Sequence, residues 1–135
     1  MPDESPDGRY GITFHEHEAF NSHWVRTPTI TDKTSGGVVL AIHDTRWSVD
    51  EAEWRDDSVV KLVMRKYPGN HEPGDITVVV DCRRGTAAVG EGAPVSLAAL
   101  EPAMDRALTW IYAKPAAPAP APGWRAALRR LFKGY

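Results

Sequence analysis

Cysteine is almost missing from this chain: Cys82 is the only one in 135 residues. An intramolecular disulfide is therefore excluded, and a reducing, cytoplasmic location is the expectation. No apolar run approaches the roughly 18 to 20 residues that cross a bilayer as a helix. The opening MPDESPDGRY is acidic and polar, without the basic start and apolar core of a secretory signal. Gly-x-Ser-x-Gly, P-loop and GxGxxG patterns are lacking, so no nucleophile elbow or phosphate-binding loop is announced. What is present, 42% hydrophobic and 25% charged residues, suits a single folded domain with room for a tail.

The charge is unevenly placed. Residues 123–135 hold Arg125, Arg129, Arg130 and Lys133 and no acid, which leaves 12 basic against 18 acidic side chains in residues 1–122. A body of net −6 lacks the clustered Lys and Arg that displace counterions from a nucleic acid, so nucleic-acid binding is disfavoured.

Pattern and turn chemistry predict an α+β domain over residues 10–113, with a small, mostly antiparallel sheet of four to five strands and a C-terminal packing helix. Residues 1–9 are polar and read as disordered. A first strand is expected within 10–20, where Ile12 and Phe14 flank Thr13. Residues 21–36 read as a loop, with room for a short strand at 24–30. Residues 37–43 are apolar on both faces, which predicts a central strand covered on each side. Ser48-Val49-Asp50-Glu51 has the spacing of a capping box and predicts a short helix over about 49–55. Residues 59–66 and 76–82 alternate as strands, and 86–89 completes an antiparallel meander. Leu97, Leu100, Met104, Leu108 and Ile111 recur at helical spacing. Pro102 interrupts them, predicting a turn at 96–100 and a main helix at 102–113.

Three polar constellations carry candidate chemistry. His15 and His17 would share one face of a strand, a geometry a divalent metal can use. Their candidate third ligands, His23, His43, Asp44 and His71, sit at no recognisable spacing. His43-Asp44 pairs a base with an acid, but neighbours on a strand point to opposite faces. Strand-then-Cys82 resembles the cysteine loop of rhodaneses and protein tyrosine phosphatases. That family closes its anion cradle with an arginine six residues later; here the position is Ala88, so the turn reading is preferred, with Cys82 packed as a small hydrophobe. Trp47 and Trp54 flank the predicted acidic helix and, with Asp50 and Glu51, would present a partner-binding surface.

The chain ends in a tether and a docking segment. Residues 114–123 read KPAAPAPAPG, which favours extended polyproline II. In residues 124–135, Trp124, Leu128, Leu131 and Phe132 form an apolar helical face, with Arg125, Arg129, Arg130 and Lys133 around the rest. A helix of about 11 residues is too short to be stable alone in water, so it should order only when covered. A partner's groove, an anionic membrane surface and the protein's own acidic body are the surfaces that fit. The resulting expectation is a non-enzymatic adaptor, accessory or immunity-type protein without a cofactor, docking a protein partner through this segment and the acidic surface. The alternatives are a peripheral membrane protein recruited by the basic tail, and a small metal-dependent enzyme using His15 and His17.

Overall fold

The computed structural model describes residues 3–19 and 24–111; the tether 114–123 and the basic segment 124–135 lie outside the described residues. It is mostly antiparallel sheet with one short helix. Strands β1 (Tyr10–Glu18), β2 (Trp24–Asp32) and β3 (Gly37–Ala41) form one sheet in that order. β4 (Trp47–Trp54), β5 (Val59–Lys66), β7 (Ile76–Asp81), β8 (Thr86–Val89) and β9 (Val95–Ser96) form a second. A ribbon pairs β6 (His71–Glu72) with β10 (Thr109–Trp110). The helix α1 spans Leu100–Arg106, preceded by a 3-10 turn at Leu97–Ala99.

One apolar cluster joins these pieces. Ile12, Ile30 and Leu40 enter it from the first sheet, Val60, Leu62 and Val78 from the second, and Leu100 and Met104 from α1. The strict alternation of β5 and β7 follows from pairing on both edges, because their inward residues have nowhere else to go. The expected meander of β5, β7 and β8 is present in this order.

Four expectations are corrected. The segment 49–55 is strand, not helix: local capping chemistry loses to the burial of Trp47, Val49 and Ala52 against β5. A bulge between Val49 and Glu51 places Asp50 and Glu51 outward in succession, which is why the alternation was hidden. Residues 24–32 are one nine-residue strand rather than loop; the ladder to β3 begins at Thr29, so Pro28 stands just outside it. Strand β3 is an edge rather than a covered centre, with Val38 63% exposed. The main helix closes at Arg106, and Thr109 and Trp110 return to extended structure because Trp110 packs its edge on His71 at 5.2 Å. Pro102 needs no break, since it lies in the first turn of α1, where a backbone donor has no partner to lose.

The polar leader is also held from Asp3 onward. Ile12 donates its N–H to the Asp3 carbonyl at 2.7 Å, and Glu4 bridges to Gly11. Ser5 is 4% exposed; its hydroxyl accepts from the Tyr10 N–H at 3.0 Å and donates to Asp7 at 2.8 Å. Ser5→Ala should therefore cost about 1–3 kcal/mol, the cost of leaving a buried donor unpaired. Urea unfolding of the two proteins measures it, and equal midpoints would show that the Ser5 hydroxyl contributes nothing to stability.

Candidate functional site

Lys66 ends β5 on the same side as Val60, Leu62 and Met64, and its side chain is 5% exposed. Its ammonium lies 2.6 Å from Asp105 of α1 and 3.0 Å from Asp44 of the β3–β4 loop, and 5.4 Å from the centre of the Trp47 ring. Charge in this position persists only if it is paired and hydrogen-bonded. Arg46 closes on the other side of Asp44 with two guanidinium contacts, at 2.8 and 3.0 Å. Those guanidinium bonds hold the Asp44 carboxyl well below the ordinary carboxylate range, against its partial burial, with the Arg46 N–H and Lys66 adding to the effect. Glu101, in the first turn of α1, accepts from the backbone N–H groups of His43 (2.9 Å) and Asp44 (3.1 Å). Three elements are thus tied at one point: a strand end, a loop and a helix.

His71 completes the cluster from β6. Its Nδ1 stands 2.7 Å from the Pro73 carbonyl, which can only accept, so this nitrogen carries the proton. Nε2 faces both backbone groups of Lys66, its N–H at 3.2 Å and its carbonyl at 3.1 Å. Both ring nitrogens are committed to backbone, and neither is offered to a ligand.

Above this cluster a groove opens between the two sheets. It is a small cleft of about 40 Å³, lined by Trp24, Val25, Ser48, Arg65, Lys66 and the Tyr67–Gly69 turn, and Tyr67 also borders a second depression with His17, Glu18 and Ala19. Trp24 is 60% exposed. The turn that carries Tyr67 and Pro68 has a cis peptide between them and Gly69 at φ +94°, a conformation that favours glycine. β2 meets β4 at the floor, where Ser48 Oγ accepts from the Arg26 N–H at 3.0 Å and the Thr27 hydroxyl donates to the Trp47 carbonyl at 2.8 Å. Arg65 is drawn to Asp50 at 3.3 Å.

The sequence-based candidates are dispersed. His15 and His17 do share a face of β1, with ring centres 5.8 Å apart. Among the described residues no group of three or more His, Cys, Asp or Glu side chains is placed to hold a metal ion. His43 is exposed, and Asp44 and His71 are engaged as above; His23 lies outside the described residues. Trp47 and Trp54 do not form a partner surface: Trp47 is fully buried, Trp54 is half-buried and stacks on Tyr10, and both indole nitrogens are enclosed. Asp50 and Glu51 are exposed, as expected, but on an edge strand. The eight residues chosen in 124–135 lie outside the described residues. Cys82 is buried in the core, and burial first, then Asp81 and Asp32, pushes its thiol up to about 12. That environment opposes nucleophilic chemistry.

The sequence reading passed over Lys66, Glu101 and Asp105, and with them the Trp24–Tyr67 groove. Lys66 did carry a signal, because it has the parity of three apolar core positions; a lysine there implies buried partners. The partners themselves come from distant loops that no spacing rule connects. Among the described residues no helix is long and apolar enough to cross a membrane. Comparison with protein-family models, with curated proteins and with solved structures finds no match to this chain.

Two outcomes follow. Because Asp44 is depressed in the folded state, its contribution is present above the unfolded carboxyl value near 3.8 and is lost as pH falls further. Asp44→Asn should be less stable than the parent at pH 7, and the gap should close on acidification below about pH 4; denaturant melts across pH read this directly. Cys82 should resist iodoacetamide at pH 8 in the native protein and react fully in denaturant, followed by intact mass. Native labelling at the unfolded rate would contradict its burial.

Proposed function

We propose that this chain is a non-enzymatic protein-binding adaptor or accessory protein that docks a basic macromolecular partner. The body contributes the acidic edge of β4, and the C-terminal segment 124–135 acts as an amphipathic helix at the end of the 114–123 tether. The observation that carries this reading is the row of exposed acids on a sheet edge. Asp50, Glu51 and Glu53 project from β4, which has a strand neighbour on one side only, and Asp57 continues the row in the following turn. Asp50 is paired with Arg65, and Glu53 approaches Lys61 at 3.9 Å, whereas Glu51 and Asp57 have no ion pair among the described residues. Acids on an edge also prevent sheet-to-sheet aggregation. A row that is partly neutralised and partly open does both, and it gives a basic partner an electrostatic approach.

The test follows from which acids also hold the fold. Asp56 is left alone, because its carboxylate accepts from the Ser58 and Val59 N–H groups at 2.8 and 2.9 Å and shapes the turn. Glu51, Glu53 and Asp57 are reversed to lysine in the full chain, and proteins captured from native cell extract are compared across a salt series. Partners retained by the parent should be lost from the variant at low salt, and parent capture should weaken as salt rises. Identical capture and salt dependence would sink the acidic-edge reading.

A further inference from the structure

Strand β1 is the outer strand of its sheet, paired with β2 on one side. The leader covers its other side only in part. Ser5 donates its N–H to the Tyr10 carbonyl at 2.9 Å, Ile12 donates to the Asp3 carbonyl at 2.7 Å, and a single bridge joins Glu4 to Gly11. The register with β2 is unbroken from Tyr10 to Glu18, so successive residues keep alternating in the side their backbone groups face. Tyr10 and Ile12 face the leader. The N–H and C=O groups of Phe14, Glu16 and Glu18 therefore face the same way, where no strand follows among the described residues. Residues 14–18 are an open pairing edge.

That edge carries half of a metal site. His15 is exposed and His17 half-buried on one face of β1, with ring centres 5.8 Å apart. Two imidazoles on one tetrahedral zinc ion, at about 2.0–2.1 Å from each nitrogen, have ring centres roughly 5 Å apart, so small side-chain rotations close the pair on an ion. One chain does not complete the donor set among its described residues, but a second copy does. When two β1 strands pair antiparallel about Glu16, His15 faces the partner's His17 and His17 faces the partner's His15. The outward backbone groups of Glu16 make its own pair the hydrogen-bonded kind. Both histidine pairs are then the closer, non-hydrogen-bonded kind, with Cα atoms about 4.5 Å apart. Of the pairings that match backbone groups, this one brings all four imidazoles together on one face. It also keeps the partner's strand clear of Tyr10 and Ile12, where the leader is bound. On the reverse face Glu16 meets the partner's Glu16, and like charges directly opposite oppose the pairing of metal-free copies. Arg26, 2.8 Å from Glu16, limits that repulsion, so the metal decides whether the edge closes.

We propose that two copies of this chain pair along residues 14–18 of β1 and bind one zinc ion between them through His15 and His17 of each. Four nitrogen ligands leave a tetrahedral ion no open position, so the site is structural rather than catalytic. The pairing uses a different sheet edge from the acidic row on β4, and it stands whether or not that row binds a partner.

Sedimentation equilibrium of the full chain, first in EDTA and then in zinc chloride after dialysis, tests this. The mass should double on adding zinc, with one zinc retained per two chains by elemental analysis. His15→Ala/His17→Ala should stay at the monomer mass in the same zinc. Glu16→Pro keeps both histidines and removes an outward N–H that the ladder to β2 does not use, a position where an edge strand tolerates proline. Its far-ultraviolet circular dichroism should match the parent, and it too should stay monomeric in zinc. One mass with and without zinc, whether of monomer or dimer, would overturn the proposal. So would one zinc per chain, or a zinc-driven doubling that persists in either variant.

Discussion

The ε-ammonium of Lys66 sits on the apolar side of β5, and the arrangement around it depends on that charge being matched. Removing such a group from water costs several kcal/mol unless its surroundings restore what water supplied. Asp105 brings α1 to the end of the strand, and Asp44 brings the β3–β4 loop to the same place. The ammonium also stands over the Trp47 ring, 5.4 Å from its centre, so the indole adds a third contact to the two carboxylates. Replacing it by a neutral side chain would leave two carboxylates without their shared cation.

That anchor explains why such a short helix holds its position. Seven residues bury only Leu100 and Met104, too few for a helix to persist by propensity. Its first turn instead presents Glu101 to the backbone of residues 43 and 44, and its last turn presents Asp105 to Lys66. The helix is clamped at both ends by polar contacts, with two apolar side chains between. Once it is fixed, Leu108 reaches the core, Trp110 reaches His71, and Ile111 bonds to Asn70.

How much of this could be read from the sequence depended on range. Strands β5, β7 and β8 were legible because their partners are neighbours in sequence and their inward residues alternate without interruption. Strand β4 was not, because a bulge broke the alternation where Ser48 and Glu51 imitated a helix start. The helix is shorter than its apolar spacing implies for a related reason: Leu108 and Ile111 continue that spacing, but Leu108 reaches the core from beyond the helix end and Ile111 is bound to Asn70. The metal-pair reading was right about local geometry, since His15 and His17 do share a face. It could not supply a third ligand, because that depends on which distant loops converge. Lys66 was the exception. Its position could be read from parity alone, and only its partners could not.

The groove and the acidic edge are separate consequences of one junction. β2 crosses the start of β4 through Ser48 and Trp47, and this covers the first residues of β4 while leaving Asp50 to Trp54 on an open edge. The same crossing sets Trp24 across from Tyr67 and leaves a trough between the sheets. The bulge turns Asp50 towards Arg65, so the acid row and the groove wall share a residue pair.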